Sequence, residues 1–492
     1  MAKDTGQNET EGSAFRAGPP RERTPLRDNL ESIVVAIVLV LVVRQVLVEA
    51  FRIQHGSMAP TLLGDHREVR CPNCSWTFDV GLDKSSAEGT VKCPNCGYVW
   101  PGLAEDDPHG QPLQLKWPPW LWNTAIVQGD GTITGPRVAN IVPRSAARIF
   151  VNKILYRLRQ PRRWEVVVFI FPVYDASCRI CGWEGHVNQD KLKGFKCPQC
   201  GSAEVDIEAR NYIKRVAGLP GETVTIRDGN VYINGAIARK PLDVQSEVWM
   251  PVFDSSFRPH QQVEPLWDLA KAPERWTRDP KGGVLQVSAR GASDPVMAAY
   301  APAITDYYPY DGPDFDPPNG VGDVRIQAQV RALAQDEQGG EAVLAIQDRG
   351  RVVEFHVSTG DQPRAVLDDG GLPVRQAPLG GPGLTHSRWL ALENYDDRVV
   401  ASVDGQELFT YDYEARPGKG RAVRLGARGA DLLWQRVIID RDVYYTSVPG
   451  PAEGGAGVGE GARRQACREG AKHHVDNLAW RGPWLQASRN RD

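Results

Sequence analysis

Apolar and polar positions follow three different patterns along this chain. From Ile33 to Val43 the residues read IVVAIVLVLVV, and RQVLVEAFRI carries the apolar character on to Ile53. A bilayer core takes about 20 helical residues, so Ile33–Ile53 fits one spanning helix if Arg44, Gln45 and Glu49 lie toward an interface and Arg44 snorkels. No small-x-small cleavage motif follows, which argues for a retained anchor over a removed leader. Arg21, Arg23 and Arg27 precede the run, so the positive-inside tendency leaves the N-terminal side cytoplasmic and puts everything after Ile53 outside. Residues 1–32 lack an apolar period and read as a disordered tail.

The second pattern is a short, wholly apolar run from Val166 to Phe171, the mark of a buried strand. Beyond it, the Asp228-Gly229 and Asn234-Gly235 turns bracket Val231–Ile233, predicting short strands joined by tight turns. The third pattern is strict alternation at Val324, Ile326, Ala328 and Val330, at Val353, Phe355 and Val357, and at Val399, Ala401 and Val403, with Asp404-Gly405 closing the last. Strands at this spacing from about Trp249 to Ile439 predict an antiparallel sandwich. Residues 101–144 read as a Pro- and Gly-rich linker whose KWPPWLW segment suits either a membrane interface or a core.

Charge changes this picture little. Lys plus Arg number 58 against 61 Asp plus Glu, which argues against a nucleic-acid partner held by bulk positive charge. Cysteine changes it more. Of nine cysteines, eight form two quartets of paired C-x-x-C knuckles: Cys71, Cys74, Cys93 and Cys96, then Cys178, Cys181, Cys197 and Cys200. Two knuckles supply the four sulfurs of a closed tetrahedral zinc site, which is structural because no ligand position stays open. Disulfides are the competing reading outside the cytoplasm. Cys467 is left over.

Three stretches then stand in a telling order. FRIQHGSMAPTL (51–62) follows the anchor, RRWEVVVFIFP (162–172) holds the buried strand, and NYIKRVAGLPGE (211–222) comes later. Together they resemble the anchor, nucleophile, strand and lysine boxes of type I signal peptidases. That resemblance implies Ser57 as nucleophile and Lys214 as general base, with the Ser57 N–H donating to the oxyanion. Where the family often carries a serine or threonine that completes the oxyanion hole, this chain has His55. The chemistry is coherent, since a serine hydroxyl needs a base and burial lowers a lysine pKa toward that role. No metal is implied for catalysis. The family's G-D-N-x-x-x-S-x-D-S-R box is not found near the C-terminus; either the lysine is supported from elsewhere, or the end is truncated or misread by a frame slip and the chain is folded but inactive. The sandwich also resembles, loosely, concanavalin-like jelly rolls, notably in WLALENYDDRVVASVDGQELF.

The expected protein is therefore mainly β: a single transmembrane helix (33–53), a signal-peptidase-like β core (54–70, 145–176, 205–248 and a return strand in 439–450), zinc ribbons at 71–100 and 177–204, an inserted sandwich at 249–438 and an irregular tail from 451. The expected activity is removal of signal peptides from secretory preproteins at the bacterial cytoplasmic membrane, with the catalytic part extracytoplasmic. Expected partners are preproteins, membrane lipid and a carbohydrate or protein ligand of the sandwich. The rival reading is an inactive, membrane-tethered binding protein.

Overall fold

The α-helix Pro25–Val46 ends where Leu47 N–H bonds Val43 O at 2.8 Å, and Val48–Arg52 is a strand. This computed structural model describes residues 25–53, 56–81, 90–101, 126–127, 133–134, 140–260, 265–278, 285–310, 318–415, 418–446 and 472–474. Within the helix, Asn29–Val46 has a mean hydropathy of 2.0 and no buried residues, so it is long and apolar enough to cross a membrane. The helix thus stops short of the expected Ile53, and it begins inside the tail expected to be disordered. After Val46 the chain turns at Leu47 and Val48–Arg52 pairs instead with the strand Arg148–Asn152. Residues 25–51 and 150–159 make up one compact unit, the other described residues a second. In the first, Lys153 ties the helix end, donating from N–H to Leu47 O and from Nζ to Gln45 O.

The second unit is built of antiparallel sheets. Val166–Cys178 lies between Glu184–Asn188 and Val205–Arg215, with a register shift between Ile170 and Tyr174. Thr223–Arg227 pairs with Asn230–Ile233 through the Asp228-Gly229 turn, where φ is 47° and 85°. Both residues sit in the left-handed region that a two-residue hairpin of this hand demands. His66–Arg70 runs between Thr77–Gly81 and Asn140–Arg144, so the end of the expected linker is a strand.

The largest element is a sandwich of two sheets. One is ordered Trp276–Arg278, Leu285–Ser288, Ala430–Arg441, Val324–Gln335, Arg388–Tyr395, Arg398–Val403 and Gln406–Asp412, with Met250–Asp254 added beside Ala430–Arg441. The other is ordered Trp267–Asp268, Val296–Tyr300, Ala422–Arg428, Glu341–Asp348, Arg351–Ser358, Arg364–Asp369 and Pro373–Pro378. Every second residue faces the partner sheet: Val324, Ile326, Ala328, Val330, Phe355, Val357, Val399, Ala401 and Val403 are all buried in one cluster. Each large aliphatic side chain so removed from water contributes roughly 1.5–3 kcal/mol. Ile438–Arg441 pair with strands of the sandwich, so the expected return strand is in its early part a sandwich strand. Just beyond it, Tyr445 bridges back to Gly229. His55, the KWPPWLW segment, Ser447 and Cys467 lie outside the described residues.

Candidate active site and metal centres

Ser57 is exposed in a tight turn that is closed by Ala59 N–H to Gly56 O at 2.7 Å and Leu62 N–H to Met58 O at 3.0 Å. The turn contains a cis Ala59-Pro60 bond, and buried Met58 anchors it. Lys214 is partly buried on Val205–Arg215, opposite buried Val167. The next residue, Arg215, joins the two segments. Its guanidinium donates to Thr61 Oγ1 at 3.3 Å, to Glu247 Oε2 at 3.0 Å and to Trp164 O at 2.9 Å. Thr61 Oγ1 in turn donates to Glu247 O at 3.2 Å. Alternation along a strand sends Lys214 and Arg215 to opposite faces, and Arg215 holds the strand against the Ser57 turn.

Two residues of this site escaped sequence reasoning. Lys240 is 1% exposed, yet its ammonium lies 2.7 Å from Asp396 and 2.8 Å from Asp442. Its ring neighbours are Trp164 and Tyr445, at 5.8 and 5.9 Å. Burial alone would push this lysine down, but Asp442 and Asp396 outweigh it and hold the ammonium charged. The carboxyls of Asp323, Asp396 and Asp442 converge here, and burial pushes Asp323 and Asp442 upward. The second residue, Tyr310, packs under Gly56. Neither stands in a motif, so no spacing signal marked them.

The cysteine quartets are each assembled. Sγ separations are 3.7 Å for Cys71–Cys96 and Cys74–Cys93, and 3.6 Å for Cys178–Cys200 and Cys181–Cys197. A tetrahedral zinc with bonds of about 2.3 Å sets its sulfurs about 3.8 Å apart, whereas a disulfide needs about 2.05 Å. All eight cysteines are free thiols. Each knuckle closes as a tight turn, with Ser75 N–H to Cys71 O, Gly97 N–H to Cys93 O, Gly182 N–H to Cys178 O and Gly201 N–H to Cys197 O. The N–H groups of Cys181 and Ile180 lower the Cys178 thiol, while burial and the neighbouring sulfurs outweigh the Trp183 and Ser202 N–H groups and raise Cys181 and Cys200. The donor set and its spacing fit a four-sulfur structural ion.

Residues 141–262, which hold the Val166–Cys178 strand, Lys214, Arg215 and Lys240, match the family model described as signal peptidase, peptidase S26. Over this region the chain is similar to type I signal peptidases. A "Probable signal peptidase I-2" of Synechocystis sp. is 31% identical over 120 residues, 23% of this chain and 42% of that protein. The chain thus spans under half the length of that curated relative. Among solved structures, an endo-β-1,3-glucanase from Pyrococcus furiosus is 12% identical with a TM-score of 0.29, covering 46% of this chain and 100% of that one. A laminarinase catalytic domain from Thermotoga petrophila is 12% identical with a TM-score of 0.28, covering 39% and 98%. At these scores neither likeness carries a statement about this chain. The matched residues run on past Met250, where the sandwich strands begin.

Proposed function

We propose that the chain is a membrane-anchored serine endopeptidase that removes signal peptides from secretory preproteins, with Ser57 as nucleophile and Lys214 as general base. The observation that carries this reading is the Arg215 clasp, which ties the Lys214 strand, inside the matched residues 141–262, to the turn of Ser57. In the reaction, neutral Lys214 takes the Ser57 proton as Oγ attacks the scissile carbonyl. The C–N bond breaks, the proton passes to the leaving amine, and water then hydrolyses the serine ester. The Ser57 N–H and a His55 ring N–H are the oxyanion donors of this scheme. No metal takes part; zinc in the two cysteine quartets is structural. The apolar helix supports a site held at the face of the bacterial cytoplasmic membrane, which keeps enzyme and scissile bond at one depth and raises their effective concentration.

Detergent-solubilised full-length protein incubated with a model preprotein ending its signal peptide in A-x-A tests this. Cleavage is expected after that motif, with Ser57→Ala and Lys214→Ala each lowering the rate by about 10³-fold or more while the far-UV spectrum stays unchanged. Undiminished cleavage by either variant removes the dyad.

A further inference from the structure

Tyr310 belongs to the connection between the sandwich strands Val296–Tyr300 and Val324–Gln335, yet it is only 2% exposed. Its ring fills the space beneath Gly56, the residue before Ser57, so closely that a Cβ at Gly56 would fall 1.8 Å from Tyr310 Cε1. Its hydroxyl accepts Gly64 N–H at 2.9 Å, and its carbonyl accepts Gly81 N–H at 3.0 Å. One side chain of the insert therefore touches the backbone on both sides of the nucleophile.

The connection that carries Tyr310 is itself held in place. Asp306 and Asn319 bond across its base at 2.8 and 2.7 Å. Buried Arg441 donates to Asp306 O, Tyr307 O and Asp442 O at 3.0, 3.2 and 2.9 Å. Asp442 holds Lys240, Lys240 lies over Trp164, and Trp164 O receives Arg215. Hydrogen bonds and packed rings thus run from the Ser57 turn, through the insert, to the strand of Lys214.

We propose that Tyr310 is a positioning residue for Ser57, so that the inserted sandwich supplies support for the catalytic turn. This rests on the peptidase reading above. The physical ground is that the exposed Ser57 sits on a turn ordered by what lies beneath it, and that a displacement of about 1 Å at a reacting group costs on the order of 10²-fold in rate.

Steady-state cleavage of the model preprotein and hydrogen exchange of the full-length protein test the proposal together. Tyr310→Ala should lower kcat by about tenfold or more with KM within about twofold, and raise exchange in residues 56–64 while the sandwich strands keep their protection. Tyr310→Phe, which keeps the ring and loses only the acceptor for Gly64 N–H, should restore most of the rate. Should Tyr310→Ala loosen the sandwich, Gly56→Ala reads the same contact from the other side. It should lose cleavage through the clash and regain part of it in the Gly56→Ala/Tyr310→Leu double variant. Unchanged exchange at 56–64 in folded Tyr310→Ala, or parental kcat in that variant or in Gly56→Ala, overturns the proposal. Failure of the parent to cleave, or cleavage undiminished by Ser57→Ala, overturns the peptidase reading instead, and the exchange at 56–64 still reports whether Tyr310 orders the turn.

Discussion

The two cysteine quartets share a motif and differ in their surroundings. Cys71, Cys74, Cys93 and Cys96 are all buried, in a cluster with Val69, Trp76 and Val80. Trp76 stacks on Phe257 at 5.6 Å, and Asn95 donates to Phe257 O and accepts Asp254 N–H at 2.9 and 2.8 Å. Asn73 donates toward the Cys96 sulfur, and its carbonyl accepts His260 N–H. By contrast, Cys181 and Cys200 are exposed at the tip of the ribbon formed by Val166–Cys178 and Val205–Arg215. There the supporting contacts are local, such as Arg179 with Asp206 and Trp183 beside Phe195 at 6.1 Å. The same four sulfurs are a keystone in one place and a clip on a hairpin end in the other. Ligand spacing reports the chemistry of a metal site, while the fold around it sets how much depends on the ion.

That contrast can be broken in four ways, taken from the largest effect to the smallest. Cys74→Ser should unfold the first ribbon and loosen the sandwich edge at Asp254, with a loss above about 3 kcal/mol, because structural zinc contributes folding energy outright; denaturant melts followed by Trp fluorescence and exchange in 66–81 measure it. Next comes pH. Burial alone would lower His356, but hydrogen bonds to Glu341 and Glu354 outweigh it and raise it to about 9, against an ordinary 6.5. A raised histidine stabilises fully below 6.5 and loses that contribution as pH climbs through about 9, here on the order of 2 kcal/mol. Melts of the parent should therefore decline over that window, those of His356→Gln should stay flatter, and exchange should rise in the first ribbon before the second. Asn95→Ala strands Asp254 N–H and Phe257 O and should cost about 1–3 kcal/mol by denaturant titration. Smallest of all, Cys181→Ser should leave the main transition within about 1 kcal/mol and raise exchange only near 178–205. Elemental analysis during chelation sharpens this further: if both quartets hold zinc, the ion at the exposed quartet should leave first.

What was legible in the sequence was whatever repeats at short range. The period of two in Val324–Val330 or Val399–Val403 shows which face is buried, and the Asp-Gly and Asn-Gly pairs mark hairpins by the backbone conformation they permit. The paired knuckles declared their ligand sets. The helix end did not show, because hydropathy runs on past Val46 while the partner of strand Val48–Arg52 lies far along the chain, at Arg148–Asn152. Nor did the burial of the first ribbon, which depends on Asn95 meeting Phe257 far along the chain, or the Lys240 cage, whose carboxylates come from a hairpin turn and a strand end within or just after the insert. The Ser57 and Lys214 assignment came from ordered resemblance; the Arg215 clasp and the Tyr310 floor are tertiary and had no local signal.

The central claim is that Ser57 attacks the preprotein with Lys214 as its base. The most direct measurement is an acid quench of full-length protein during a single turnover with a model preprotein, followed by peptide mapping by mass spectrometry. The account predicts a signal-peptide ester on Ser57 that disappears in Lys214→Ala. Processing with the acyl group on another residue, or an ester that forms equally well without Lys214, would contradict it.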